Sequence, residues 1–417
     1  MSNKKILSVI GQVNDEYIEE AIPYSKAGKR HHFLQWGALV ACLALAVFIA
    51  IKIIPTNPVE PTPGIGDLPM LAITENSGEA MGFEGYTAYD ISEIVNNNPW
   101  RETSEISTLP VYQNLLAYDE NYQVSKADFD KMKEFLLNVA SRLGMDVDNL
   151  EITDNAPDEK TQDAIREKFA EGESVPDGYF SPSAIIIKGD GIEVEVDQKM
   201  IAKIAFEPTI PLPNEYNFTH YATYEQVAAV AEYLREKYKD LIGMDNPQVN
   251  IHGGDYSIFS GDYTEIYGAK QAQGYHIEFY DSGDDISQII NYNFNRVAFY
   301  CDDDGKLFLA RVFQPDLSSE VGDYPIITAD KAKELLKNGN YITTVPEKLP
   351  GLDYVAKVEL VYRTGSSEQY FMPYYRFYVE LPGMERENGL KTYGAYYVPA
   401  VEGEYISNMP VWDGRFN

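Results

Sequence analysis

The chain has 417 residues, with 65 Asp and Glu against 34 Lys and Arg, a formal charge of −31. So acidic a chain is a poor general binder of nucleic acid, whose phosphates are held by Lys and Arg, and two cysteines cannot build a disulfide framework. A hydrophobic content of 44% excludes wholesale disorder, and the length suits two to four domains.

Residues 1–32 are too short for an independent domain. Within them Ile6, Val9, Ile10, Val13 and Tyr17 recur at helical spacing, with Asp15, Glu16, Glu19 and Glu20 off that stripe. A stripe on so short a segment needs something to cover it, so Ile6, Ile10, Val13 and Tyr17 are the expected contacts of a cytoplasmic partner. From Phe33 to Ile54 only Gln35 and Lys52 are strongly polar. As a helix these residues would span roughly 33 Å at about 1.5 Å per residue, enough for a ~30 Å hydrocarbon core. Lys26, Lys29 and Arg30 precede the run, and no Lys or Arg follows Lys52 until Arg101. The positive-inside rule therefore predicts a single span at 33–54, a cytoplasmic N-terminus and an extracellular bulk. Leu39-Val40-Ala41-Cys42 has the look of a lipidation box, yet the apolar run continues beyond it; Cys42 is either a small residue inside the span or a lipidated one. Residues 1–54 hold six Lys and Arg and four Asp and Glu, which leaves 28 against 61 for the rest, a net −33 outside.

The segment KKILSVIGQVNDEYIEEA at residues 4–21, the basic patch after it and WGALVACLALAV at 36–47 resemble the N-terminus of membrane-bound anti-sigma-factor-type proteins of Gram-positive bacteria, especially gut clostridia. The resemblance implies a cytoplasmic segment that grips a sigma factor while an outer domain senses. It does not imply zinc, because no cysteine precedes Cys42 and the His-x3-Cys-x2-Cys pattern is missing.

Five prolines, Pro55, Pro58, Pro61, Pro63 and Pro69, make 55–70 an extended spacer. Beyond it the spacing predicts a helix from Ser125, with Met132, Leu136 and Val139 on one face, and another from Thr223, with Val227, Val230 and Leu234 on one face. Thr223 and Gln226 fit a capping box. Each helix is followed by Gly-Met-Asp, and residues 144–152 align without gaps on 243–251. Strand-like runs follow in each copy, with Asp190-Gly191 and Asp304-Gly305 as turns. The expected organisation is a first outer α+β unit at 71–213, a second at 214–323 that repeats it, and a C-terminal unit at 324–417 with a helix from Thr328 and a Tyr-rich sheet. Val358–Tyr362 and Pro373–Phe377 are similar to the outer domains of membrane-anchored regulators of a cell-wall sensor kinase, which implies a non-enzymatic domain that touches a partner's extracellular domain. The expected fold class is thus α+β, one transmembrane helix followed by repeated helix plus antiparallel-sheet units.

Chemical motifs are scarce. Gly28-Lys29-Arg30 and Gly305-Lys306-Leu307 lack the Ser or Thr of a phosphate-binding loop. His220, His252 and His276 are far apart for a shared zinc site, and a calcium register on Asp302-Asp303-Asp304-Gly305 would put Tyr300 and Arg311 at ligand positions. No cofactor, metal site or catalytic residue is therefore expected. Cys301 reads as a small residue at a strand end. The best candidate for a binding face is the aromatic cluster Tyr370, Tyr374, Tyr375, Tyr378, Tyr393, Tyr396 and Tyr397, since exposed tyrosines make good contacts with protein or glycan; cross-strand core packing is the alternative. The expected function is a non-catalytic, membrane-anchored binding, sensory or regulatory protein of the envelope, with an envelope protein or peptide as partner and a possible sigma factor inside. The alternative is an envelope hydrolase with a site assembled from dispersed residues.

Overall fold

In the computed structural model the described residues are 68–74, 86–89, 97–116, 128–169, 175, 180, 182–219, 222–252, 256–258, 276–302, 304–365, 368–385 and 391–414. Strands β1 (Tyr86–Tyr89) and β2 (Thr108–Gln113) come first, then helix α1 (Phe129–Arg142), β3 (Ile152–Asp154) and α2 (Glu159–Arg166). A hairpin of β4 (Ala184–Gly189) and β5 (Ile192–Asp197) leads into β6 (Ile201–Ile210). Then come α3 (Tyr224–Lys237), α4 (Lys239–Ile242), β7 (Pro247–His252), β8 (Tyr256–Ile258) and β9 (His276–Asp281). Helix α5 (Asp285–Phe294) precedes β10 (Arg296–Cys301), β11 (Leu307–Phe313) and β12 (Glu320–Pro325). The last elements are α6 (Ala329–Lys337), β13 (Ile342–Thr343), β14 (Val355–Tyr362), β15 (Tyr370–Phe371), β16 (Pro373–Glu380) and β17 (Lys391–Pro399).

Eight of these strands form one antiparallel sheet in the order β3-β4-β5-β6-β11-β10-β9-β7. The order reads as two four-stranded meanders that meet at β6 and β11, where Ile201 faces Phe313 and Ala205 faces Leu309. Local chemistry explains the first meander. Asp190 and Gly191 both have positive φ, 52° and 77°, as a two-residue hairpin turn requires. A side chain on Gly191 would meet the Glu207 carbonyl, so that turn admits no other residue easily. Helices α1 and α3 cover one face of the sheet: Met132, Leu136 and Val139 from α1 share a core with Val227, Val230 and Leu234 from α3 and with Ile187, Val194, Ile204, Phe279 and Phe299 from the strands. Asp128 caps α1, its side chain accepting from the Lys131 amide, so the described helix begins after Ser125, which lies outside the described residues. On α3 the Thr223–Gln226 capping box is present in both directions. Gly144 and Gly243 end α1 and α4 in the left-handed region. Between those two helix ends Arg142 donates from Nε to the Asp240 carbonyl at 3.0 Å and from Nη2 to the Leu241 carbonyl. One copy thus satisfies the free carbonyls of the other's terminal turn.

A second sheet runs β14-β16-β17-β1-β8, with β13 also on β17, and a three-stranded sheet runs β12-β2-β15. The described strands β1 and β2, which the sequence groups with the first unit, pair with strands of the C-terminal part. Strand β1 pairs with β17 and β2 with β12 and β15, while Trp100 and Leu109 share a core with α6 and β16. Just after the Pro-rich spacer, Leu71 bridges Ile406 in parallel, and the Tyr324 hydroxyl donates to the Pro69 carbonyl at 2.7 Å.

The expected fold class is therefore corrected. The described residues hold seventeen strands in three sheets and six helices, so they are mainly antiparallel sheet rather than a row of balanced α+β units. The physical reason is that strands pair across the expected unit boundaries, β6 with β11 and β1 with β17. No helix among the described residues is long and apolar enough to cross a membrane, and the longest have 14 residues. The apolar run 33–54 and the stub positions Ile6, Ile10, Val13 and Tyr17 lie outside the described residues.

The two helix-ending glycines give a paired test. At Gly144 an alanine meets only backbone strain, since no atom lies within 4 Å of the added Cβ, while at Gly243 it would also press on the Arg142 guanidinium. Gly144→Ala should cost about 1 kcal/mol and Gly243→Ala about 2–3 kcal/mol, measured by urea unfolding. Equal losses would show that the Arg142 contact carries no stability.

Candidate functional site

The tyrosines expected to form a binding face lie mostly inside. Tyr374 and Tyr396 are fully buried, Tyr375, Tyr393 and Tyr397 nearly so, and Tyr370 and Tyr378 are half-buried. Alternation along β16 sends Tyr375 into the core with α6 and Tyr374 into the core beneath the three-stranded sheet, so both faces of this strand are covered. The hydroxyls of Tyr375 and Tyr396 donate to the carbonyls of Ile327 and Glu347, each at 2.7 Å. Burial pushes the Tyr375 phenol up to about 12. These rings are cross-strand core packing, and the cluster presents no continuous exposed face.

The other sequence candidates are dispersed as well. His252 and His276 are register partners on β7 and β9, and His220 lies outside the described residues. Asp302 and Asp304 serve their own turn. Asp302 accepts from the amides of Asp304 and Lys306, and Asp304 pairs with the Lys306 ammonium at 2.8 Å. Among the described residues no group of three or more His, Cys, Asp or Glu is placed to hold a metal ion. Cys301 is half-buried at the end of β10, its thiol on the Phe218 carbonyl.

Charged chemistry concentrates where the two large sheets meet. Strand β14 is an edge strand, and its outward backbone groups need partners. Asn293, near the end of α5, accepts from the Tyr362 amide at 2.9 Å, and Asn98 donates to the Leu360 carbonyl at 3.2 Å. Two side-chain amides thus do the work of a further strand. Beside them stands Glu359, only 1% exposed, directly opposite Arg376 in the register. Arg376 reaches it through Nε at 3.1 Å and Nη2 at 2.5 Å, and Lys357 Nζ lies 2.6 Å from the other oxygen. Burial alone would raise the Glu359 carboxyl, but Arg376 and then Lys357 outweigh it and hold the carboxyl at about 2. A second buried pair lies across the seam. Glu278 on β9 accepts from Arg296 Nη1 at 2.9 and 3.1 Å and faces Asn250 at 3.4 Å. Tyr292 of α5 is buried between the two pairs, its ring 5.3 Å from Tyr280 and edge-on to it. Burial, then the Glu359 charge, raises its phenol far above the ordinary range.

Next to this network is a cavity of about 220 Å³. Its wall comes from the β5–β6 turn, the start of α1, the α5–β10 junction, the end of β11 with the residues after it, the segments that follow β2 and β14, and β15. Phe294, Phe313, Phe371, Met132, Met200 and Leu116 supply apolar surface, and Lys131, Lys199 and Arg296 supply positive charge. Met200 holds φ 57°, a left-handed conformation costly for a side chain with a Cβ. The turn forces it: Asp197 is buried and its Oδ1 accepts from the amides of Lys199 and Ile201 at 2.9 and 3.0 Å. None of the cavity's described lining residues is a histidine, and none was singled out from sequence as a site residue.

No protein-family model matches the chain, and no curated protein is significantly similar to it.

The buried triad at Glu359 predicts a pH signature. In the unfolded chain a glutamate titrates near 4.5, in the folded one Glu359 near 2. Between those values the unfolded state binds more protons, so the stability this group adds above pH 4.5 is lost as pH falls toward 2. Glu359→Gln should remove that loss from the pH–stability profile. Glu359→Ala should cost about 3–5 kcal/mol at neutral pH by leaving Arg376 and Lys357 buried without a counter-charge. Urea midpoints across pH 2.5–7 read both; an unchanged profile in Glu359→Gln would show that another carboxylate sets it.

Proposed function

We propose that the chain is a membrane-anchored, outward-facing, non-catalytic binding module of the cell envelope that takes a small ligand at the seam between its two large sheets. The observation that carries this reading is the seam cavity, enclosed by segments from distant parts of the chain and lined by rings and methionines with a few charged groups. An occupant would touch the β5–β6 turn, the end of α5 and Phe371 at once, so its binding favours one arrangement of these segments. The sequence supports the anchored half of the reading: the apolar run 33–54, the basic residues before it, and an acidity confined to residues after it. The likeness of residues 4–21 to anti-sigma-type N-termini supports a cytoplasmic partner at Ile6, Ile10, Val13 and Tyr17.

Two measurements test the two halves. Protease added to intact cells that express the full chain should destroy a C-terminal epitope and spare an N-terminal one; the reverse pattern, or protection of both, overturns the topology. Single-ring compounds, neutral and charged, should raise the unfolding temperature of the purified full chain and fail to do so in Leu116→Trp, which fills the cavity. Stabilisation that survives in Leu116→Trp places binding elsewhere.

A further inference from the structure

The segment that follows the Pro-rich spacer joins the fold through one bridge rather than through a ladder. Leu71 pairs with Ile406 in parallel, alone, whereas β16 and β17 pair continuously from Tyr374 opposite Pro399 to Glu380 opposite Tyr393. Around that bridge residues 68–74 lie extended in a groove. The Leu71 amide donates to the Tyr405 carbonyl at 2.8 Å, and the Leu71 carbonyl accepts from the Ser407 amide at 2.8 Å. The Asn408 side chain then grips Ile73 twice: its Oδ1 accepts from the Ile73 amide and its Nδ2 donates to the Ile73 carbonyl, each at 2.7 Å. Toward the ends, the Tyr324 hydroxyl donates to the Pro69 carbonyl at 2.7 Å, and the Thr74 hydroxyl accepts from the Gln369 amide at 3.1 Å. Leu71 and Ile73 are buried in the core that holds Tyr324, Met372, Tyr374, Tyr405 and Ile406, while Met70, Ala72 and Thr74 are half-exposed. The Tyr324 and Tyr405 rings meet edge-on, 5.6 Å apart, within that core.

We infer that residues 68–74 are a detachable strap, an intramolecular peptide ligand that leaves its groove without the sheets opening, and that the vacated groove takes an extended peptide of the same pattern: a proline with apolar side chains two and four positions after it. The contacts are those by which proteins recognise extended peptides. Main-chain hydrogen bonds, which any sequence can make, hold the peptide, and alternate side chains enter apolar pockets that choose among sequences. The strap contributes no strand to any of the three sheets, so their ladders are complete without it. A lone bridge has no neighbouring pairs to cooperate with, so it opens at lower cost than a ladder does. Covalent attachment keeps the strap at high effective concentration over its groove, so the resting chain excludes peptide from solution. The consequence rests on the anchored half of the proposed function. The strap is the first described segment after the apolar run 33–54, so its release lengthens the tether between that run and the outer part.

The test uses the purified full chain and has two readouts. In hydrogen exchange, residues 68–74 of the parent chain should exchange at least about tenfold faster than β16, and Asn408→Ala should speed the strap about tenfold more while β16 keeps its rate. In a peptide titration, a labelled synthetic copy of residues 66–76 should bind saturably to Leu71→Ser/Ile73→Ser, whose own strap is weakened. It should not bind the parent chain, and adding Asn408→Ala to the weakened variant should lower the affinity at least about tenfold. A scrambled peptide should not bind any of them. Circular-dichroism melts show that each variant is folded. Equal exchange of the strap and β16, or a Leu71→Ser/Ile73→Ser chain that unfolds as a whole, makes the strap a core element and overturns the inference. A folded weakened variant that ignores the peptide, or a parent chain that binds it equally well, overturns the groove as its site. Neither readout depends on which side of a membrane the bulk lies, so failure here leaves the topology standing and failure of the protease test on cells leaves the strap standing.

Discussion

The two large sheets depend on how one edge strand is covered. Strand β14 ends the second sheet, and an uncovered edge invites pairing with another chain. Helix α5, which belongs to the first sheet's meander, lies against it and supplies Asn293, while Asn98 serves a neighbouring carbonyl. Side chains can do this because the unmatched groups are few. The pairs Glu359–Arg376 and Glu278–Arg296 then sit on either side of Tyr292. Buried pairs of this kind add little net stability against an apolar alternative, but they punish misalignment, because a slip by one residue would leave a charge in the interior without its partner. The seam is therefore held by specificity as much as by burial.

An internal two-fold relation explains why α5 is available for this task. In the first meander β4 and β5 are joined by the two residues Asp190 and Gly191. In the second, the corresponding strands β9 and β10 are joined by α5. The second meander thus carries a helix where the first has a tight turn, and through Asn293 that helix reaches the edge of the other sheet. Symmetry survives where nothing else packs: at β6–β11, where the copies pair, and at the helix ends, where Arg142 of one copy caps α4 of the other.

Much of this was legible in the sequence where the signal is local. The Thr223 capping box, the glycines after α1 and α4, the Asp190-Gly191 turn and the strand at Val355–Tyr362 all follow from residues within a few positions of one another. The packing of Leu71, Trp100 and Leu109 with C-terminal elements did not, since nothing near them in the chain encodes a partner more than 200 residues away. The tyrosine cluster misled for a related reason. Alternation divides a strand into two faces but does not say that both are covered, and here α6 lies on one side and the three-stranded sheet on the other. A usable signal for the seam was present. Glu278 and Glu359 are charges flanked on both sides by apolar residues within a strand, Ile277-Glu278-Phe279 and Val358-Glu359-Leu360. Such a charge is affordable only with a buried counter-ion, so it points to an arginine on a neighbouring strand even before the register is known.

The charge balance gains meaning from these placements. With 34 cations against 65 acids, many acids stand without a cation of their own, so a pair that forms in the interior marks a position where burial demands it. Arg376, Lys357, Arg296 and Lys131 each have a carboxylate, and Arg142 has helix carbonyls instead. Lys199 lies on a turn whose backbone is held in place by the buried Asp197 and carries Met200 in a left-handed conformation. A turn built only to join two strands would place glycine at that position and relieve the strain. Methionine there keeps a flexible apolar side chain in the cavity wall. The strained backbone and the aromatic wall converge on one space.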